Sequence, residues 1–118
     1  MEILEIVKTA VKAIDSKKGE DIQVIGIHDL TVIADYFVIA TANSSTQLKA
    51  VADEVEYQLA QAGQEPHHIE GRTSDWICLD YASVVVHVFH KEQRHFYQLE
   101  RLWEDGEKVD ISNFLDKE

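Results

Sequence analysis

The spacing of apolar residues predicts two helices in the first half of the chain. Across residues 3–14, apolar side chains recur three and four positions apart, which is typical of an amphipathic helix. Two lysines and a glycine at 17–19 suit the end of that helix, because cations and glycine are favoured at helix C-termini. A second apolar stripe covers 48–62, and Ser44 followed three residues later by Gln47 is a capping-box pattern at its start.

Five shorter apolar segments are predicted as β-strands. They are rich in β-branched and aromatic residues and are too short for typical helices. The last two segments are separated by only three residues, so we expect them to pair as a hairpin. The strands are predicted at residues 22–27, at 36–42, around Ile69, at 76–80 and at 84–89.

A third helix is predicted to begin near Lys91, because Phe96, Leu99 and Trp103 have helical spacing. The order of elements then implies a single α/β (α+β) domain. We expect one mixed five-stranded sheet with its helices packed mainly on one face. The domain is predicted to cover residues 1–104, and 105–118 is predicted as an acidic C-terminal tail, mobile or with a short helix.

The composition excludes several classes of function. The chain has 118 residues and a formal net charge of −11, which disfavours direct binding to nucleic-acid phosphates and favours basic partners. No apolar stretch is long enough to span a membrane, and the single cysteine, Cys78, cannot form an intramolecular disulfide. No N-terminal signal-peptide pattern is present, so we expect a cytoplasmic protein.

The residues give no positive indication of an enzyme. The six histidines lack metal-ligand spacing, and adjacent His67 and His68 would point to opposite faces of a strand. The turn "TANSSTQ" at 41–47 resembles a phosphate-binding loop, but it lacks glycines, and no strand pair of carboxylates follows it. We therefore expect neither a metal nor a cofactor, although a divergent nucleotidyltransferase stays an alternative.

Alternation along the strand at 76–80 separates two faces. Trp76, Cys78 and Asp80 share one face, while Ile77 and Leu79 share the other, together with the residue after the strand. If the helices cover the uncharged face, Trp76 lies on the open face. The pattern favours this exposure, with burial under a helix as the alternative. An exposed tryptophan flanked by acids is suited to anchor a basic protein surface.

Several separated segments, in the right order, resemble the ribosomal silencing factor family, also called Iojap. The resemblance extends over nearly the whole chain up to Trp103. It departs at Ala82, where the family often has glycine, and in the acidic segment after Asp105. The resembling segments are "DYFVIATANSSTQLKAVADEV" (35–55), "EG" with "DWICLD" (70–80), "VVVHVF" (84–89) and "YQLERLW" (97–103).

This resemblance implies a non-catalytic protein that binds the large ribosomal subunit through large-subunit ribosomal protein number fourteen. It would sterically block association with the small subunit and repress translation under nutrient limitation. Large-subunit assembly is the implied alternative. The implied fold is similar to nucleotidyltransferases without their catalytic residues, and the free protein would be able to self-associate as a homodimer. Carried onto this chain, the partner-binding residues would be Trp76, Asp75, Glu70, Asp80, Tyr81 and His87.

Overall fold

The computed structural model describes residues 2–28, 34–71, 75–92, 107–109 and 111–112. Within these residues the chain forms two helices and six strands. None of the described helices is long and apolar enough to cross a membrane. The elements are α1 (Ile3–Ser16), β1 (Glu20–Gly26), β2 (Tyr36–Ala42), α2 (Ser45–Gln61), β3 (His68–Glu70), β4 (Trp76–Asp80), β5 (Val84–His90) and β6 (Glu107–Val109).

The end of α1 is set by the backbone of the two residues that follow its C-cap. Lys18 has a φ of 63°, and its amide donates to the Asp15 carbonyl. The Gly19 amide donates to the Ile14 carbonyl, which completes a Schellman motif. A Cβ at Gly19 would lie 2.3 Å from the Ile14 side chain, so glycine is required here by space.

The start of α2 is the predicted cap. The Ser44 hydroxyl accepts a hydrogen bond from the Gln47 amide at 3.0 Å. The Gln47 side-chain oxygen accepts in turn from the Asn43 amide, and its side-chain nitrogen donates to the carbonyls of Lys17 and Lys18. Gln47 therefore fastens the start of α2 to the turn after α1.

The six strands form one mixed sheet in the order β3-β4-β5-β2-β1-β6. The parallel pair, β2 and β5, lies at its centre, with Tyr36 opposite Val84 and Ala42 opposite His90. The other neighbours pair antiparallel, and β4 and β5 form the predicted hairpin. Since α2 lies between β2 and β5 in the chain, it serves in their crossover.

Both described helices pack on the same face of the sheet. One cluster of buried residues joins α1 and α2 to alternate residues of the strands, including Ile77 and Leu79 of β4 and Val86 of β5. A second cluster, on the opposite face, includes Phe37 and Phe89. The predicted α+β domain, with helices on one face of a mixed sheet, is thereby confirmed for the described residues.

The structure differs from the sequence prediction at residues 107–109. The sequence predicts an acidic tail here, whereas the residues form β6 and pair antiparallel with β1, with Val24 opposite Val109. Pairing satisfies backbone groups that β1 would otherwise leave unpaired at the sheet edge. Lys91 and Glu92 are helical, at the predicted start of the third helix, whereas Phe96, Leu99 and Trp103 lie outside the described residues.

The hairpin between β4 and β5 turns through a strained alanine. Ala82 has a φ of 69°, in the left-handed region that glycine adopts freely. Its amide donates to the Asp80 side chain at 2.7 Å, and the Ser83 amide donates to the Tyr81 carbonyl at 2.9 Å. These bonds hold the turn in place against the steric cost of the Cβ.

We predict that Ala82→Gly stabilises the protein. Glycine removes a left-handed strain of about 1 kcal/mol and gives back part of it through the greater entropy of the unfolded chain. The expected gain in the free energy of unfolding is about 0.5 kcal/mol, measured by urea denaturation.

Ala50→Gly is the matched control, because Ala50 lies inside α2 and is partly buried. In the helix the same change is expected to lower the free energy of unfolding by about 1 kcal/mol. A loss of stability in the Ala82 variant similar to that in the Ala50 variant would contradict the strain assigned to the hairpin.

Candidate functional site

The face of the sheet opposite the two described helices carries a group of aromatic rings. Phe37 comes from β2, Trp76 from β4, and His87 and Phe89 from β5. We call these four residues the aromatic cluster. Strand alternation places them on one face, since Trp76 lies opposite Phe89 in the β4–β5 register.

The rings of the aromatic cluster are in direct contact. Trp76 stacks on Phe89 with ring centroids 4.8 Å apart and an interplanar angle of 24°. The edge of one ring meets the face of the other between Phe37 and His87, at 4.8 Å and 75°. Both arrangements are ones that aromatic quadrupoles favour. Trp76 is partly buried by this packing, while Phe89 is wholly buried.

A hydrogen bond joins two members of the cluster. Nε1 of Trp76 donates to Nδ1 of His87 at 3.1 Å. An indole N–H can only donate, so Nδ1 of His87 must be unprotonated and the neutral ring carries its proton on Nε2. That Nε2 atom is buried and has no hydrogen-bond partner among the described residues.

Burial also fixes the charge state of His87. Its side chain is 6% exposed, and removal from water lowers its pKa to about 4, against a smaller opposing effect of Asp80. The ring is therefore neutral at neutral pH. This agrees with the acceptor role of Nδ1, because a protonated imidazole could not accept the indole hydrogen bond.

Acidic residues neighbour Trp76 both along the chain and on the adjoining strand β3. Asp75 directly precedes it and is exposed, and its carbonyl accepts a backbone hydrogen bond from His90. Glu70 lies opposite Cys78 on β3, and its carboxylate is 2.6 Å from the ring of exposed His68. An apolar ring bordered by exposed carboxylates is suited to contact a basic surface.

Two of the partner-binding residues proposed from the sequence, Tyr81 and Asp80, are engaged within the fold. Tyr81 packs with the helix-side core and is only 5% exposed, so it does not share the surface of Trp76. Its burial follows from alternation, because it continues the face of Leu79. Asp80 shares the face of Trp76 but is partly buried, and its carboxylate accepts from the hairpin backbone. We assign Asp80 to the hairpin.

Cys78 lies beside His87 across the β4–β5 pair but is not a reactive thiol. Burial, then Asp80 and then Glu70, raise its pKa to about 11. The thiol therefore stays protonated at neutral pH, and thiolate is the form that acts as nucleophile or metal ligand. Within the described part of the chain, no three His, Cys, Asp or Glu side chains group as metal ligands.

The turn that resembled a phosphate-binding loop uses its groups within the fold. The Ser44 hydroxyl caps α2, and the Asn43 amide donates to the Gln47 side chain. The Asn43 side chain donates to the Glu20 carboxylate at 2.9 Å, which places a negative charge beside this turn. Such a carboxylate repels a phosphate, so the arrangement disfavours a nucleotide at this position.

Sequence reasoning missed Phe37 and Phe89 as supports of Trp76. The available signal was the alternation in β5, which puts Val85, His87 and Phe89 on one face. Their contact with Trp76 further required the register of the hairpin. That register pairs Asp80 with Val85 and Trp76 with Phe89. Counting outward from the three residues between the strands would instead pair Asp80 with Val84 and Trp76 with Val88, so the sequence alone does not give this contact.

Comparison with known proteins gives consistent matches along the chain. The sequence model of a family described as ribosomal silencing factor during starvation matches residues 1–118. Ribosomal silencing factor RsfS of Bacillus subtilis is 39% identical over 107 residues, which cover 90% of this chain and 91% of that protein. The chain is also similar to a crystal structure of a Chromobacterium violaceum protein, with a TM-score of 0.86 and 37% identity. The match covers 95% of this chain and 93% of that one.

A mitochondrial protein is also similar. The mouse protein named mitochondrial assembly of ribosomal large subunit protein 1 is 33% identical over 97 residues. The match covers 79% of this chain but 42% of the mouse protein, which is therefore much longer than the shared region.

The neutral, buried state of His87 predicts a specific pH dependence of stability. The unfolded histidine binds a proton below about pH 6.5, whereas the folded one does so only below about pH 4. The contribution of neutral His87 to the free energy of unfolding is fully present above about pH 6.5 and is lost as the pH falls to about 4. Relative to His87→Leu, the wild-type protein should lose about 3 kcal/mol of unfolding free energy over this range.

Denaturant unfolding at a series of pH values measures this difference. His67→Leu is the control, because His67 is exposed and its ring is in water in both states. Its pH profile should follow that of the wild type. Parallel profiles for the wild type and His87→Leu would contradict the buried neutral state of His87.

Proposed function

The chain belongs to the ribosomal silencing factor family, and on that premise we propose that it binds the large ribosomal subunit and blocks the joining of the small subunit. The contact would be made with large-subunit ribosomal protein number fourteen. The result would be repression of translation when nutrients are limiting. Support comes from the family match over residues 1–118 and from the surface around Trp76.

The observation that carries this proposal is the placement of Trp76. The indole is partly buried on Phe89 yet retains exposed surface, and Asp75 and Glu70 beside it are exposed. Interface hot spots are commonly such aromatic anchors, held rigid by their own fold and bordered by polar groups. The surface therefore suits a partner with an apolar recess lined by basic side chains.

The net charge supports a protein partner rather than ribosomal RNA. A formal charge of −11 repels a phosphate backbone, so direct docking on RNA would lose electrostatic free energy. A basic protein on the subunit surface offers the opposite potential. The same charge would accelerate encounter with that protein and help to orient the docked domain.

The mechanism would be competition for space. A domain docked on the joining surface of the large subunit would exclude the small subunit without any bond being made or broken. The inhibition would be reversible and would depend on concentration and affinity alone. No catalytic group is needed for this activity, and none of the residues of the aromatic cluster is arranged as one.

Assembly of the large subunit is a second candidate function. It is favoured by the mouse relative, whose name refers to mitochondrial assembly of the large ribosomal subunit. Both functions would begin with binding to the large subunit. Depletion separates them, because an assembly factor would leave incomplete large subunits, whereas a silencing factor would leave complete subunits that join more readily.

The joining of purified subunits tests the proposed function. Light scattering should show that added protein lowers the fraction of joined ribosomes, and Trp76→Ala should need at least about tenfold more protein for the same effect. The reason is the loss of the apolar anchor. Self-association of each free variant is measured by sedimentation in parallel, since the family resemblance implies a dimer.

Tyr57→Ala is the matched control, because Tyr57 is an aromatic residue 57% exposed on α2, away from the aromatic cluster. This variant should inhibit joining as the wild type does. Equal inhibition by the Trp76 and Tyr57 variants would exclude Trp76 as the anchor. No inhibition by the wild-type protein would refute the proposed function itself.

A charge reversal tests the electrostatic part of the proposal. Asp75→Lys should weaken binding to the large subunit and slow association, because it places a cation facing a basic partner. The loss should be largest at low salt and diminish as salt screens the charges.

Asp15→Lys is the charge-matched control, since Asp15 is exposed at the end of α1 and makes the same change in net charge. Surface-binding kinetics at two salt concentrations compare the two variants. If both variants lose affinity equally, overall charge and not the border of Trp76 governs the encounter.

A further inference from the structure

His87 is placed beside the proposed anchor but cannot itself touch a partner. Its side chain is 6% exposed, and both neighbouring strands pair with it, through Cys78 on one side and Ile39 on the other. Any contribution of His87 to binding is therefore made through another side chain. The side chain it contacts by hydrogen bond is Trp76.

A histidine that only filled space at this position would destabilise the fold relative to an apolar residue. Its Nε2–H is buried with no hydrogen-bond partner among the described residues, which costs free energy. Leucine has a similar volume and would bring no such group. What histidine adds over leucine is an acceptor, Nδ1, directed at the Trp76 indole.

Stacking alone does not define how the indole lies. The contact with Phe89 fixes the plane of the Trp76 ring, but a ring turned over within that plane would stack almost as well. Only one of the two orientations directs Nε1 toward His87. The hydrogen bond therefore selects one of the two orientations. It thereby determines which edge of the indole faces outward.

The imidazole is itself held in place. The ring of Phe37 meets it edge to face, and the ring of Phe89 lies 6.2 Å away at an angle of only 17°. Backbone pairing on both sides fixes the Cα of His87. The acceptor is thus positioned by the fold before any partner arrives, which is the condition for preorganised binding.

We propose that His87 is a positioning residue whose Nδ1 selects the orientation of the Trp76 indole that the partner requires. This inference rests on the proposed function, because the aromatic cluster would hold the same anchor, Trp76, in its binding orientation before the partner arrives. It replaces direct contact, the role expected from the sequence, with an indirect one.

Two variants of His87 separate positioning from packing. His87→Leu keeps apolar volume and removes the acceptor. His87→Asn is smaller and leaves a void, but its side-chain oxygen lies near the place of Nδ1 and restores an acceptor. If His87 only fills space, affinity should follow stability, and the more stable leucine variant should bind better. If His87 positions Trp76, the asparagine variant should be the better binder although it is less stable.

Three measurements are made on each variant. Urea denaturation gives stability, and the indole ¹H–¹⁵N resonance of Trp76, assigned with Trp76→Phe, gives the state of the hydrogen bond. Binding to purified large subunits gives affinity. We expect His87→Leu to shift the indole resonance upfield and weaken binding about five- to tenfold, with His87→Asn within about twofold of the wild type.

Affinity that follows stability, with His87→Asn the weaker binder, would overturn the proposal. An indole resonance unchanged in His87→Leu would also overturn it. If the wild-type protein does not bind large subunits, the proposed function fails and the positioning role falls with it. The indole resonance then still shows whether the hydrogen bond forms, so the two failures are distinguished.

Discussion

The parallel pairing of β2 with β5 determines both faces of this domain. It joins two apolar strands at the centre of the sheet, and the crossover through α2 covers one side of them. Period-two alternation then divides β5 into residues that face the helices and residues that face away. Because the β4–β5 hairpin is built on the same strand, this division extends to Trp76. The aromatic cluster exists only while that central pairing holds.

Local patterns predicted most of the fold. The Ser44 cap and its partner Gln47 are three residues apart, and the strand segments are recognisable from their own composition. The alternation in β4 predicts Trp76 and Leu79 on opposite faces of the sheet. It also predicts Tyr81 on the helix side, where the residue is buried, whereas the family resemblance implied a place for Tyr81 on the partner surface. Alternation was the better guide there because burial is decided by the strand.

Non-local features could not be predicted in the same way. β6 is a three-residue strand whose place depends on pairing with β1, far away in the chain. The stacking of Trp76 on Phe89 depends on the hairpin register, and the approach of Phe37 to His87 depends on the parallel register. Sequence periodicity fixes which face a residue occupies, but not which neighbour it meets across strands. The hydrogen bond from Trp76 to His87 requires that the two residues share a face and that the strand register brings them together.

We propose that the face carrying Trp76, and not the helix face, meets the large ribosomal subunit. A cryo-electron microscopy map of the protein bound to purified large subunits tests it most directly. We expect the Trp76 indole in contact with a basic ribosomal protein, with Asp75 and Glu70 at the border of that contact. A map in which α1 and α2 face the subunit while Trp76 faces solvent would contradict it.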